Sequence, residues 1–342
     1  MPPIIAIAPD SFKGTLSAAA AAAAIAEGWR SVRPTDDLRV LPQADGGEGT
    51  LDALESAVPG AVRRAVTVTG PDGRPVPAYW LQLPDGTAAV ELAVSSGIGL
   101  MADLDPMGAS TRGLGEVIAA ALDAGAVRLV IGLGGSASTD GGRGALEALG
   151  WPRALRQPPT GGVLLLSDVT APLLGPHGAA AVFAPQKGAT PQQVDELEAR
   201  LATFAALLGG DAAAPGAGAA GGTGYGFAAA WGAISVSGAD YIAALTGLDE
   251  ALMAADVLVT GEGRFDGQSL TGKVVGQLLA KAAGRSVVIA GELAASPPDL
   301  GYSLTELSGA EGSRAHPARW LREAAAQAAR DIHPTFSPRR PS

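Results

Sequence analysis

Four of the 24 basic residues in this 342-residue chain are lysines, and three of them sit in glycine turns: Asp10-Ser11-Phe12-Lys13-Gly14, Pro185-Gln186-Lys187-Gly188 and Leu270-Thr271-Gly272-Lys273. Arg supplies positive charge elsewhere, so a Lys kept beside glycine points to a compact, flexible point charge facing an anion, phosphate above all. An exposed turn that accepts any charged residue is the plainer alternative. A second pattern is Ala44-Asp45-Gly46-Gly47-Glu48-Gly49, two carboxylates among three glycines just ahead of a helical stretch. Glycines let a backbone approach a ligand, helix N-termini attract anions, and carboxylates hold a divalent cation. Capping of the following helix by Asp45 and Glu48 accounts for the pattern equally well.

The run from Gly132 through Gly134, Gly135, Ser136, Asp140, Gly141 and Gly142 crowds backbone N–H groups and hydroxyls into one turn before a helix, the make-up of an anion nest. From Gly267 to Lys273 the chain nearly spells a phosphate-binding G-x-x-x-x-G-K loop. Val274 stands where Ser or Thr would ligate magnesium, and the loop does not directly follow its strand, so that fold is rejected. Glu262 and Asp266 in the same stretch are candidates for magnesium, and Arg264 and Lys273 for phosphate. The first strand lacks the Gly-x-Gly-x-x-Gly that a nicotinamide dehydrogenase needs. His177, His316 and His333 have no Cys or carboxylate neighbours at ligand spacing, so zinc is not indicated.

Positioning these residues falls to short aliphatic runs that end in Asp or Gly and lead into Ala-rich helices, the cadence of parallel βα units. Strands are expected over residues 4–8, 38–41, 257–260, 287–290 and 304–307, with helices over 16–29, behind Thr15 or Ser17 as cap, and 50–57. The middle of the chain differs in texture. Strands over 65–68, 79–83 and 88–92 read as antiparallel or mixed, and further strands follow over 127–132 and 163–166. This predicts an α/β protein with a discontinuous outer domain, residues 1–60 and 245–332, an inserted α/β domain over 61–244, and a tail over 333–342. A cleft between domains is the default place for a ligand. The stretch 209–222, almost all Gly, Ala and Pro, reads on composition as a linker.

Hydrophobic residues make up 47% of the chain and aromatics only 4%, which fits parallel sheets covered by Ala-rich helices. A net charge of -10 with no basic cluster argues against nucleic acid and anionic membrane as partners. The lack of cysteine, of a basic n-region at the start and of a long apolar run predicts a soluble cytoplasmic protein.

Taken together, the loops resemble those of the bacterial glycerate kinases of the type I class. The matching segments are Ala8 to Gly14, Ala44 to Gly49, Gly134 to Gly142, Ser167-Asp168-Val169-Thr170, Phe183 to Gly188, Pro215 to Gly222 and Gly261 to Lys273, in family order over most of the chain. The stretch 209–222 then becomes in part a family motif. The resemblance implies a flavodoxin-like parallel-sheet domain built from both chain ends with an inserted second α/β domain. It also implies phosphoryl transfer from ATP, with Mg2+, to D-glycerate at the 2-hydroxyl. On this reading Lys13 neutralises the transferring phosphoryl group. Asp45 or Asp168 orients the glycerate hydroxyl or accepts its proton, with Asp10, Ser11 and Glu48 facing the reacting groups. Gly46 and Gly47 belong to the same site; Gly134 to Gly142 cradles phosphate or the glycerate carboxylate, and Lys187 and Arg264 stabilise charge. The sequence departs from the family at Thr139 and Ala171, where Asn is usual, and in a shortened 151–162 segment. Those departures keep two alternatives open: a kinase of this fold for another small hydroxy acid, and a noncatalytic ligand-binding relative.

Overall fold

Strand-forming runs of Ile, Val and Leu recur along the chain because each must be buried on both faces between helices. The computed structural model describes residues 2–12, 14–270 and 274–332; Lys13, Lys273 and the tail 333–342 lie outside the described residues. In chain order the strands are β1 (Ile4–Ile7), β2 (Asp37–Val40), β3 (Val62–Thr69), β4 (Pro75–Gln82), β5 (Thr87–Glu91), β6 (Arg128–Gly132), β7 (Val163–Leu166), β8 (Ile234–Val236), β9 (Val257–Phe265), β10 (Arg285–Leu293) and β11 (Leu300–Ser303). They divide between two compact units. The first takes the chain up to Ala44, then Asp52–Ala57, then everything from Ile242 onward; the second takes Asp45–Leu51 and Val58–Tyr241.

In the first unit a five-stranded sheet runs β11-β10-β9-β1-β2, and every neighbouring pair is parallel. Counted within the unit this is order 2-1-3-4-5, the flavodoxin-like winding, whose order reverses between β1 and β9. Ile5, Ile7, Val259, Val287 and Ile289 fill the sheet's core against the helices Ala18–Val32 and Pro317–Asp331. Ser17 caps the first of these by accepting a hydrogen bond from the Ala20 N–H. The small residues of that helix let the second approach closely: a Cβ on Gly28 would lie 2.2 Å from the Arg322 carbonyl oxygen. The strand expected over 304–307 is corrected. The fifth strand is β11, and Leu304 opens the helix Leu304–Ala315, because Ser303 accepts from the Glu306 N–H in a Ser-x-x-Glu capping pattern.

In the second unit a six-stranded sheet runs β3-β4-β5-β6-β7-β8. The pairs β3/β4 and β4/β5 are antiparallel, and β5 through β8 are parallel. Glu91, Gly132, Leu166 and Val236 stand in register at the carboxyl ends of those four strands. Loops leaving this edge therefore share one rim. The stretch 209–222 is not a linker: it folds into tight turns and opens the helix Ala219–Trp231, whose Tyr225 and Phe227 are core residues.

Candidate active site

The rim of the second sheet is built from the loops that follow β5, β6, β7 and β8. The Asp45–Gly49 turn lies on it: Gly134 N–H donates to the Gly46 carbonyl at 3.0 Å, and a Cβ on Gly134 would sit 2.3 Å from the Gly47 Cα. Only glycine permits that approach. Asp45 accepts from the Gly47 N–H at 3.0 Å and shapes its own turn. Among the described residues neither Asp45 nor Glu48 makes a capping hydrogen bond to the helix Thr50–Ala57. Buried Glu91 at the end of β5 accepts from the Gly49 and Leu51 N–H groups at 3.1 and 3.0 Å, so the chain's own carboxylate meets that N-terminus. Glu91 escaped the sequence reading because nothing in its neighbourhood marks it; its partners lie some forty residues away.

Lys187 is the most unusual group on the rim. It ends the turn Pro185–Lys187, is 3% exposed, and its Nζ donates to Ser136 Oγ at 2.8 Å and to the Ser138 carbonyl. Both partners are neutral. Burial pulls the ammonium from 10.5 down to about 8, against the opposing pull of the Asp140 charge. Lys187 lines a pocket of about 370 Å³ together with Gly134, Gly135, Ser136, Ala220 and Gly221. Ala220 is left-handed at φ 53° and is followed by two more left-handed residues, Gly221 and Gly222. An alanine held there is strained, and such strain clusters at ligand sites. The sequence reading singled out this stretch only as a motif.

Asp140 is a brace for the glycine loop. Its carboxylate accepts from the N–H groups of Thr111, Gly142 and Gly144 and from the Thr111 hydroxyl, at 2.8 to 3.2 Å. Gly141 N–H in turn donates to the Gly221 carbonyl, tying the loop to the left-handed turn. Asp168, after β7, accepts from Gly238 N–H at 3.2 Å, and a Cβ on Gly238 would lie 2.2 Å from the Asp45 carbonyl oxygen. Asp45 and Asp168 are thus neighbours. Desolvation by the surrounding protein raises the Asp168 carboxyl above its ordinary value, and the charges of Asp45 and Asp240 add to this; hydrogen bonds from Ser237 and Gly238 oppose it. Ser167 and Val169, on either side of Asp168, line the Lys187 pocket.

The remaining sequence-derived residues belong to the first unit. Asp10 follows β1, accepts from Ser11 N–H at 2.6 Å, and donates its own N–H to the Gly261 carbonyl at 2.8 Å. Asp10, Ser11 and Glu262 therefore share the point where strand order reverses, the place where open α/β sheets bind ligands. Arg264 is exposed and pairs with Glu292 at 3.0 Å and Asp266 at 3.6 Å. Asp266 also accepts from the Gln268 and Ser269 N–H groups, shaping the turn after β9. Among the described residues no three His, Cys, Asp or Glu side chains converge as a metal cage.

The fold and site define an α/β protein of two units, one wound like a flavodoxin and one carrying a pocket lined by a buried lysine on a glycine-loop rim. The family model described as the glycerate kinase family matches residues 5–157 and 160–333. The chain belongs to the glycerate kinase family, and is therefore an enzyme of glycerate phosphorylation, for which kinase activity implies ATP. It is 43% identical over 303 residues to the glycerate kinase of Bacillus subtilis and 40% identical over 303 residues to the glycerate 2-kinase of Escherichia coli, covering 79% of each chain in both pairs. The Salmonella typhimurium LT2 chain solved under the name glycerate kinase 2 superposes with a TM-score of 0.78 at 34% identity, over 96% of this chain and 98% of that one. No helix among the described residues is long and apolar enough to cross a membrane.

Proposed function

We propose that this chain transfers the γ-phosphoryl group of ATP to the 2-hydroxyl of D-glycerate. The observation that carries the reading is Lys187: a buried ammonium bonded, among the described residues, to a hydroxyl and a carbonyl alone is costly until an anion joins it. Phosphoryl transfer is chiefly positioning and neutralisation of spreading negative charge, which this lysine and the Gly134–Ser136 backbone supply together. Asp168, its carboxyl raised toward useful basicity, accepts the proton of the glycerate hydroxyl; Asp45 beside it orients that hydroxyl. The choice of the 2-hydroxyl draws support from the name of the Escherichia coli relative.

Magnesium in kinases is held by one or two carboxylates together with phosphate oxygens and water, where it neutralises phosphate charge. Glu262 fits that role. Asp10, beside Glu262 where the strand order of the first sheet reverses, is the proposed second carboxylate, with Asp266 in the turn after β9 as the alternative. Lys13, from its place in the sequence, is a further neutralising charge. The test is a coupled ADP-release assay with magnesium, ATP and D-glycerate, with L-glycerate and glycerol as controls and phosphorus NMR of the product. Turnover confined to D-glycerate with a 2-phosphate product is expected. Turnover on another hydroxy acid alone, or a 3-phosphate product, would refute the reading.

A further inference from the structure

A second pocket of about 420 Å³ opens beside the glycine loop, between the helix Pro191–Leu208 and the start of the helix Arg143–Ala148. Its floor is Leu197, Leu201 and Phe204, all buried, and Arg143 and Arg200 stand at its rim. Thr139 also lines it. The Thr139 hydroxyl is fully buried and has no hydrogen-bond partner among the described residues. A native core does not leave a hydroxyl unpaired without reason, because the desolvation cost of about 1–3 kcal/mol goes uncompensated.

A nucleoside triphosphate needs two unlike environments, cationic donors for its phosphates and an apolar slot with a few aimed polar groups for its base. The glycine loop offers one at each end. Gly134 to Ser136 line the Lys187 pocket and Thr139 lines the apolar one. Ser136 and Thr139 are three positions apart, at most about 10 Å of chain. The volume lies in the range of small-ligand sites, which begins at roughly 300 Å³. Guanidinium planes such as those of Arg143 and Arg200 stack on aromatic faces. Arg143 pairs with Glu147, and Arg200 with Glu196 and the Met107 carbonyl; the two ion pairs are exposed and of little strength. We infer that this pocket seats the purine ring of the donor nucleotide, with the Thr139 hydroxyl hydrogen-bonded to the base edge and the arginines covering its face.

The inference rests on the ATP reading above, and its test separates the two. Thr203 is an exposed residue at the same rim, so Thr203→Trp fills the pocket without touching the core. Thr139→Val removes the unpaired hydroxyl at nearly constant volume and is expected to raise Tm. Binding of AMP by equilibrium dialysis is measured on wild type and both variants, independently of turnover, alongside KM for ATP and for glycerate. The expected result is AMP binding by wild type, KM for ATP at least tenfold higher in Thr203→Trp with KM for glycerate unchanged, and AMP binding about fivefold weaker in Thr139→Val. Absence of AMP binding in wild type overturns the inference. So does a Thr203→Trp enzyme with unaltered KM for ATP, even where turnover with ATP and glycerate upholds the kinase reading. AMP binding lost in Thr203→Trp with KM for ATP unchanged would make the pocket an effector site and equally overturn its role as the donor's seat.

Discussion

At the scale of single residues, the proposed chemistry turns on a lysine whose charge is held only weakly. A Lys187 pulled down to about 8 is protonated below that pH and loses its proton as pH rises through it. For the free enzyme, kcat/KM is therefore expected to fall above about pH 8. The stability linkage has the opposite sign. Between about 8 and 10.5 the unfolded chain binds the proton and the folded chain does not, so this group's contribution to stability rises with pH across that window. A pH–rate profile set beside denaturation curves at pH 7.5 to 10 checks both; an alkaline limb that appears only near 10.5 would remove Lys187 from the site. Lys187→Met is expected to lower kcat by about a hundredfold or more. Asp168→Asn is expected to lower kcat by roughly 10² to 10⁴ and to abolish the acidic limb, which the raised Asp168 carboxyl places above the ordinary 3.8. Steady-state kinetics at saturating ATP and glycerate decides each case.

At the scale of elements, the loops are shaped by contacts that tolerate no added atom. Gly134→Ala puts a Cβ 2.3 Å from the Gly47 Cα, so the two glycine turns must separate. Overpacking of this kind costs about 1–3 kcal/mol, and the shift also displaces the backbone beside Lys187. Lower stability in urea and at least tenfold lower kcat/KM are expected together. Ala220→Gly acts in the other direction: it removes the cost of a left-handed alanine, about 1 kcal/mol, and should raise the urea midpoint. If that turn is part of the anion site, its loosening lowers kcat/KM despite the gain. A variant that is stabilised and fully active would show the strain to be structural only.

At the scale of the whole molecule, the chain leaves one unit, builds another and returns. The first sheet joins Ile5 to Val257 and Val287 to Leu300, so its helices Ala18–Val32 and Pro317–Asp331 pack together from opposite ends of the sequence. Gly28→Ala, whose Cβ would meet the Arg322 carbonyl at 2.2 Å, strains that packing directly. Differential scanning calorimetry should show it lowering the transition of the first unit; an unchanged thermogram would mean the helix pair shifts freely. Multi-domain proteins commonly unfold in more than one step, which makes the comparison readable.

What the sequence determined by itself was local: the βα cadence, a cap at Thr15 or Ser17, the Asp45 turn, the glycine loop at Gly134 and the oddity of lysines beside glycine. These are legible because backbone geometry and capping are written in residues a few positions apart. Even a local signal can be missed, as with Ser303 to Glu306, where an aliphatic run masked a capping pattern. Tertiary structure alone decided that Lys187 became a buried charge. Lys187 is buried by Ser136 and Ser138, some fifty positions away. In the same way, Glu91 meets the helix N-terminus for which capping by Asp45 and Glu48 was one open reading, and Asp140, a candidate binding residue, braces the glycine loop. The physical reason is common to all three. Burial and pairing are set by groups brought together only when the sheet closes, and composition at the site carries no record of them.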